Sequence, residues 1–304
     1  MNKTYKYYQN GEWCKSASGE TISISSPYLK KEIGKVQAMT RAELDESIAG
    51  AKQAQKQWAS LTVRERGAYL YKWIDELLDA KESIAKCIMQ EVGKGYNDAL
   101  KEVERTADFI RYTIEEAYHM HGESMMGENF VGGSRSKVAI VHRVPLGVVL
   151  AIAPFNYPVN LSASKIAPAL ISGNTVIFKP ATQGAISGVK MIEALHKTGL
   201  PKGVLNLVTG RGSVIGDYLV EHKDINMISF TGGSSNGFLG SWGDFESNFA
   251  QFTFAEVAGD FIADGIRVMA RGFKDTIVET DSAIVDLNKV YEKGLSGDNL
   301  KSYL

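Results

Sequence analysis

Cysteine is nearly absent from this sequence, which contains only Cys14 and Cys87 among 304 residues. Two thiols build neither a disulfide framework nor a Cys-x-x-Cys redox motif nor a zinc site made of cysteines. Such sparse use of cysteine is typical of a reducing compartment, and we expect a cytoplasmic protein. The first six residues are polar and lack the apolar stretch of a signal peptide, which agrees with that expectation.

An excess of charge of one sign and a long apolar run are absent as well. Lysine and arginine number 34 against 35 acidic residues, so the formal net charge is −1. This balance removes the electrostatic argument for nucleic acid or an anionic membrane surface as a partner. The longest apolar run, 148–154, is far too short to span a bilayer. The five histidines have no metal-ligand spacing, so we expect a small-molecule ligand and no metal.

The patterns that are present predict an α/β fold. Short strands separated by turns open the chain, and helices begin at Thr40, which forms a capping box with Glu43, and after Thr62. From residue 138 onward, strands alternate with helices, which predicts a Rossmann-like, doubly wound parallel sheet. We expect a strand with alternating sides at 138–143, then the strands of the sheet at 147–154, 175–179, 204–209 and 227–231, and helices at 159–172, 187–198 and 213–221.

A change in composition after Gly232 divides the chain. All seven prolines lie at or before Pro201, whereas residues 233–304 hold seven of the twelve phenylalanines. We therefore predict an α/β domain over 1–232, a linker or loop rich in glycine and serine over 233–243, and a helical C-terminal segment over 244–304.

The ends of the predicted strands carry the residues best suited to ligand binding, because open α/β sheets bind ligands at the carboxyl ends of their strands. At the first junction, Asn156 lies between two prolines in Pro154-Phe155-Asn156-Tyr157-Pro158. A side-chain amide held there can stabilise a developing oxyanion. The alternative is a turn asparagine that satisfies local backbone groups.

Two further junctions suit a phosphate. In Lys179-Pro180-Ala181-Thr182, a cation and a hydroxyl follow one strand, and the alternative is a solvated surface lysine followed by a threonine helix cap. At the next junction, Gly210, Gly212 and Gly216 lie between a strand and a helix. Glycines there let backbone N–H groups approach a phosphate, although the spacing differs from the Rossmann Gly-x-Gly-x-x-Gly.

Taken in order from residue 5 to residue 232, these motifs resemble the aldehyde dehydrogenase superfamily, and in particular its non-phosphorylating, NADP-dependent glyceraldehyde-3-phosphate dehydrogenase branch. The resemblance implies that residues 1–232 form a Rossmann-like cofactor-binding domain. It also implies that an extended arm at about 123–143 joins subunits into a homo-oligomer. Further matching segments are Tyr8-x-Asn10-Gly11-Glu12-Trp13, Lys165-Ile166-Ala167-Pro168-Ala169-Leu170, Gly173-Asn174, Thr209 to Asp217, and Ser229-Phe230-Thr231-Gly232.

The same resemblance implies roles for individual residues. Asn156 would stabilise the oxyanion, and Lys179 and Thr182 would contact the cofactor. A neutral hydroxyl at 182, where NAD-preferring relatives usually have an acidic residue, avoids repelling a 2′-phosphate, so NADP is expected rather than NAD. Arg105 and Tyr157, together with Asn156, would contact a phosphorylated aldehyde. The other implied cofactor-binding residues are Gly210, Gly212, Asp217, Thr231 and Gly232.

The family's two catalytic segments do not occur in this sequence. The family's reaction needs a cysteine thiolate to attack the aldehyde and a glutamate to activate water. No cysteine follows Cys87, and Glu256 lacks the flanks and spacing of the family's glutamate. We therefore expect a chain related to enzymes that oxidise glyceraldehyde 3-phosphate with NADP but unable to do so by itself. Two alternatives stay open: a non-catalytic NADP-binding or assembly protein, and a damaged gene product without a stable role.

Overall fold

A computed structural model describes residues 3–232, which belong to two units. The first unit comprises residues 3–120 and 144–232, and the second comprises residues 121–143. The predicted linker at 233–243 and the predicted C-terminal segment at 244–304 lie outside the described residues.

Helices and strands follow one another largely as the sequence patterns predict. The strands are β1 (Thr4–Tyr5), β2 (Tyr7–Gln9), β3 (Glu12–Cys14), β4 (Thr21–Ser25), β5 (Glu32–Gln37), β6 (Glu123–Met126), β7 (Val138–Val141), β8 (Val148–Ala153), β9 (Thr175–Pro180), β10 (Leu205–Leu207) and β11 (Met227–Phe230). The helices are α1 (Arg41–Ser60), α2 (Val63–Asp79), α3 (Lys81–Val92), α4 (Tyr96–Tyr118), α5 (Asn160–Ile171), α6 (Ala185–His196) and α7 (Gly212–Val220). The strand β5, which pairs with β1 and β4, was not predicted.

The capping box predicted at the start of α1 is confirmed. The hydroxyl of Thr40 accepts the N–H of Glu43 at 3.3 Å, and the Glu43 carboxylate accepts the N–H of Thr40 at 2.7 Å. Thr62 and Glu65 form the same pair of hydrogen bonds at the start of α2. These bonds satisfy N–H groups that have no partner within a helix, so the sequence itself fixes where both helices begin.

The central sheet has the strand order β11-β8-β9-β10-β2-β3. Its first four strands are parallel, and β2 and β3 form an antiparallel hairpin at one edge. The chain runs from β8 through α5 to β9 and through α6 to β10, and then returns through α7 to the other side of β8. The strand order therefore reverses beside β8, at the position where doubly wound sheets bind ligands.

Both faces of this sheet are covered, as the six buried residues of β8 require. Val149 and Ala151 point to one face and pack in a cluster that includes α5 and α6. Val148 and Leu150 point to the other face and pack with α1 and α7. Helices on opposite faces confirm the predicted doubly wound fold, and no helix in residues 3–232 is long and apolar enough to cross a membrane.

The second unit is an antiparallel hairpin of β6 and β7, in which Glu123 pairs with Val141 and Met126 with Val138. The predicted strand at 138–143 is confirmed as β7, which within the described residues pairs with β6 alone. Its alternating pattern fits an exposed two-stranded ribbon, whereas a strand buried on both faces is continuously apolar. The hairpin lies within the predicted arm.

Candidate functional site

The candidate site lies at the carboxyl edge of the parallel strands. Strand pairing aligns the ends of β8, β9 and β11, since Ile152 is paired with both Lys179 and Phe230. The loops that follow these strands carry Asn156, Thr182 and Thr231. The structure therefore places the three loops side by side at the switch point of the sheet.

Lys179 is buried at the end of β9. Its side chain is only 4% exposed, and its Nζ forms no hydrogen bond or ion pair within residues 3–232. Burial lowers the pKa of this ammonium group to about 8. The alternative of a solvated surface lysine is therefore wrong, and within residues 3–232 no anion is paired with this buried cation.

The N-terminus of α7 faces Lys179. A methyl group added to Gly212, the first residue of α7, would lie 4.0 Å from Lys179 Nζ. The N–H groups of Gly212 and Ser213 have no acceptor in the described part of the chain, and the N-cap residue supplies no side-chain cap. Gly210 lies so close to Ile215 that an added methyl would come within 2.5 Å of its Cδ1. Free N–H groups beside a cation form a cradle that fits a phosphate.

Thr182 lies in a 3₁₀ turn, Thr182–Gly184, between β9 and α6. The predicted alternative of a threonine helix cap is not realised, because the N-cap residue of α6 is Gly184. The side chain of Thr182 is half-buried, and its hydroxyl forms no hydrogen bond within residues 3–232. The hydroxyl is thus available to a ligand.

Asn156 is exposed in the loop after β8, and its side chain serves the local turn. Its Oδ1 accepts the backbone N–H of Tyr157 at 3.1 Å, as the alternative interpretation of this residue expects. Its Nδ2 donates no hydrogen bond among the described residues. The turn bond therefore fixes the orientation of the amide and leaves its donor side free for an oxyanion.

Tyr157 rests against a buried ion pair that sequence reasoning missed. Lys94 Nζ lies 3.7 Å from the centre of the Tyr157 ring and 2.5 Å from a carboxylate oxygen of Glu102. Glu102 Oε1 also accepts the N–H groups of Val159 and Asn160, at 3.0 and 3.2 Å, where α5 begins. The available signal in the sequence was Glu102 itself, a charged residue within the apolar stripe of α4.

Lys165 on α5 is a second buried lysine at this edge, and the sequence analysis gave it no role. Its Nζ donates to the hydroxyl of Thr231 at 2.6 Å, and burial lowers its pKa to about 8. The backbone N–H of Thr231 donates to Ile152 O at 3.1 Å, which fixes this residue beside the end of β8. The available signal for this buried contact was Lys165 itself, a charged residue within the apolar pattern of α5.

Three predicted residues remain outside these contacts. Arg105 is exposed on α4 and forms no hydrogen bond or ion pair with Asn156 or Tyr157. Asp217 is exposed in the second turn of α7, and Gly232 is exposed at the end of the described residues. Their roles stay predictions from the resemblance.

Neither cysteine offers a nucleophile at this edge, because Cys14 is distant from it and Cys87 is buried. Cys14 is on β3, four strands from β8, which at about 4.8 Å per strand is roughly 19 Å away. Cys87 is buried against Ser187, with 3.6 Å between its sulfur and the serine hydroxyl. Burial raises the pKa of Cys87 to about 12 and also raises that of Cys14. Both groups are thiols at neutral pH.

Within residues 3–232 no cluster of three or more His, Cys, Asp or Glu side chains could hold a metal.

Most of this chain is similar to known proteins. Residues 13–238 match the aldehyde dehydrogenase family. The chain is 52% identical over 237 residues to an NADP-dependent glyceraldehyde-3-phosphate dehydrogenase of Streptococcus equinus, a match that covers 78% of this chain and 49% of that protein. A protein with the same name from Pisum sativum is 45% identical over 233 residues, which cover 76% and 47% of the two chains.

A solved structure shares the fold over the same region. The NADP-dependent glyceraldehyde-3-phosphate dehydrogenase of Bacillus halodurans C-125, complexed with NADP, superposes with a TM-score of 0.75 at 54% identity. The match covers 78% of this chain and 49% of that one. The chain thus spans about half the length of the curated relatives that it matches.

Proposed function

The chain belongs to the aldehyde dehydrogenase family, and from that premise we propose that residues 3–232 form the NADP-binding part of an aldehyde-oxidising oxidoreductase. One observation carries the proposal: the buried residue Lys179, whose Nζ has no hydrogen-bond or ion-pair partner within residues 3–232, lies beside the N-terminus of α7. A phosphate would supply the missing anion and accept the free N–H groups of that helix.

The proposed cofactor contacts follow from this placement. Lys179 and the first turn of α7 would hold a cofactor phosphate, and the hydroxyl of Thr182 would donate to the 2′-phosphate. NADP supplies a nicotinamide that accepts a hydride. Further proposed contacts are Gly210, Gly212, Asp217, Thr231 and Gly232.

The proposed substrate is glyceraldehyde 3-phosphate. Its support is the name of the relatives that are 52% and 45% identical to this chain. Asn156 Nδ2 would donate to the aldehyde oxygen, and Tyr157 would pack against the substrate from its place beside Lys94. Arg105 would reach the phosphate as a bidentate donor.

We further propose that this chain alone binds the cofactor without oxidising the aldehyde. The reaction of the family begins with a thiolate, whereas Cys14 and Cys87 are protonated at neutral pH, Cys14 lies four strands from β8, and Cys87 is buried against Ser187. A reducing compartment such as the cytoplasm is the proposed location, since both cysteines are free thiols.

Assembly is a second candidate function, favoured by the hairpin of β6 and β7. The hairpin exposes a row of large apolar side chains that a partner copy could cover. They are Met126, Phe130, Val131, Val138 and Ile140. In this role residues 123–143 would join copies of the chain, with or without bound nucleotide.

A fluorescence titration of the full chain with NADPH tests the first proposal. We expect saturable binding with a dissociation constant in the micromolar range, and no NADPH production from glyceraldehyde 3-phosphate and NADP. Failure to bind NADPH would contradict the proposed cofactor site, and robust turnover would contradict the proposed inactivity. Mass photometry without nucleotide tests assembly, because a purely monomeric mass would overturn the role proposed for the hairpin.

A further inference from the structure

We propose that Glu91 is a positioning residue that sets the preference for NADP over NAD by fixing the turn that carries Thr182. The inference rests on the proposed function of this edge of the sheet. Glu91 belongs to α3 and does not itself line the carboxyl edge, so its effect would pass through the first turn of α6.

Glu91 closes the N-terminus of α6. Its side chain is buried, with 1% exposed. Oε1 accepts the N–H of Ile186 at 2.8 Å, and Oε2 accepts both the N–H and the hydroxyl of Ser187, at 2.8 and 2.6 Å. These N–H groups have no partner within the helix, so a carboxylate from another helix takes the place of a local cap.

The bonds of Glu91 begin two residues after the turn. On its other side the turn is tied to β8, because Ala181 donates its N–H to Ala153 O at 3.0 Å. Gly184 packs on the loop that follows β8, where an added methyl would lie 3.0 Å from Pro158 Cβ. Thr182 therefore sits between an anchor on the sheet and an anchor at Glu91, and both are needed to fix its hydroxyl.

A carboxylate is required for this anchor. Three donors converge on the two oxygens of Glu91, and a glutamine would turn its own amide donor toward at least one of them. The charged residues of α6 itself, Lys190 and Glu193, have other partners, since Lys190 bonds Ser83 and Glu193 lies 4.0 Å from Lys3.

The expected signature is a change in selectivity rather than a general loss of binding. NADP and NAD differ only at the 2′-phosphate, which is the group that Thr182 would contact. A displaced turn weakens that contact and leaves the shared parts of both nucleotides in place. A residue with a merely structural role would weaken both nucleotides alike.

Fluorescence titrations of the full chain with NADPH and NADH test this, with Glu91→Gln as the variant and Glu193→Gln as the matched control. For Glu91→Gln we expect NADPH to bind about tenfold more weakly, the loss typical of one charge-assisted hydrogen bond, and NADH to change less than about twofold. Glu193→Gln should keep the wild-type ratio of the two dissociation constants.

If the wild type prefers NADPH and Glu91→Gln leaves the ratio of the NADPH and NADH dissociation constants unchanged, the role proposed for Glu91 is wrong. The proposed cofactor site is not affected by that result. A wild type that binds the two nucleotides equally would instead overturn the proposed cofactor preference. If Glu91→Gln does not fold, Ser187→Ala decides the matter, because it removes one donor and keeps the carboxylate. A selective loss of NADPH affinity in Ser187→Ala supports the role of Glu91, and an equal loss or none overturns it.

Discussion

Three helices of the first unit begin at the carboxyl edge of the sheet, and their N-termini are built in two ways. The N-termini of α5 and α6 are closed by buried glutamates from other helices: Glu102 bonds Val159 and Asn160, and Glu91 bonds Ser187 and its neighbour. The N-terminus of α7 has no such acceptor among residues 3–232, and the cation Lys179 lies beside it instead.

The difference separates two uses of the same local feature. A helix N-terminus attracts negative charge because its first N–H groups are unpaired. Where a protein carboxylate satisfies them, the terminus holds two layers of helices together. Where the N–H groups stay free beside an unpaired lysine, the terminus is suited to a ligand that carries the charge. Substitutions at the two kinds of terminus should therefore have opposite consequences.

The largest effect is expected when a closed terminus is opened. Glu102→Gln leaves the partly buried Lys94 without its charged partner and keeps only one acceptor oxygen, which serves either Lys94 or the start of α5. Breaking one side of such a pair should lower the free energy of unfolding by about 3 kcal/mol, as measured by urea denaturation. The control is Glu104→Gln on the same helix, whose pair with Lys81 is half-exposed, and it should change stability far less. Similar losses for both variants would contradict the special role of the closed terminus.

The open terminus should respond in the opposite direction. Lys179→Met removes a buried charge that has no partner within residues 3–232, so the nucleotide-free chain should become more stable by about 1 kcal/mol. NADPH should bind about thirtyfold more weakly, since a charge-assisted contact to phosphate is lost. Thermal unfolding and NADPH titration measure the two effects. Lys190→Met, which removes a lysine bonded to Ser83, should show neither. A loss of stability in Lys179→Met would show that the lysine is a structural cation.

The pH dependence of binding sharpens the same contrast. Because the phosphate binds the protonated form of Lys179, and burial lowers the pKa of this group to about 8, NADPH affinity should fall as pH rises above that value. The decrease should approach about tenfold per pH unit until the pKa of the complex is reached. Lys179→Arg stays protonated and should abolish the decrease. Titrations between pH 7 and about 9.5 test this, and equal slopes for both chains would rule out Lys179 as the titrating group.

The smallest effect is expected at the first residue of α7. Gly212→Ala places a methyl 4.0 Å from Lys179 Nζ, an ordinary contact distance that should leave thermal stability unchanged. The same methyl occupies space beside the proposed phosphate, so NADPH should bind about threefold more weakly, the cost of a slightly displaced hydrogen bond. Unchanged affinity would place the phosphate elsewhere along the edge.

Local patterns predicted the parts of the fold that depend on neighbouring residues. The capping box at Thr40 and the helix start after Thr62 were predicted correctly, and the continuously apolar pattern of β8 predicted a strand covered on both faces. The six-residue strand β5 was not predicted, because Gly34 and Lys35 interrupt its alternation and its place is set by pairing with β1 and β4.

The sequence predicted where the site residues lie along the sheet, but not which of them are buried or what they contact. Sequence placed Lys179 at a strand end, yet its burial arises from packing against distant parts of the chain, which spacing does not reveal. Glu91 and Glu102 resembled ordinary polar residues on amphipathic helices. Each lies within an apolar stripe, beside Ile88 and Val103 respectively, and that local conflict was the signal for a buried partner.

Backbone hydrogen exchange at the three helix starts, measured with and without saturating NADP, tests the distinction between closed and open termini most directly. The amides of Gly212 and Ser213 should exchange rapidly in the free chain and at least about tenfold more slowly with NADP, because the nucleotide supplies their acceptor. The amides of Asn160 and Ser187 should be protected in both states, since Glu102 and Glu91 already bind them. Unchanged exchange at the start of α7, or protection gained instead at the starts of α5 and α6, would contradict the assignment of the open terminus to the cofactor.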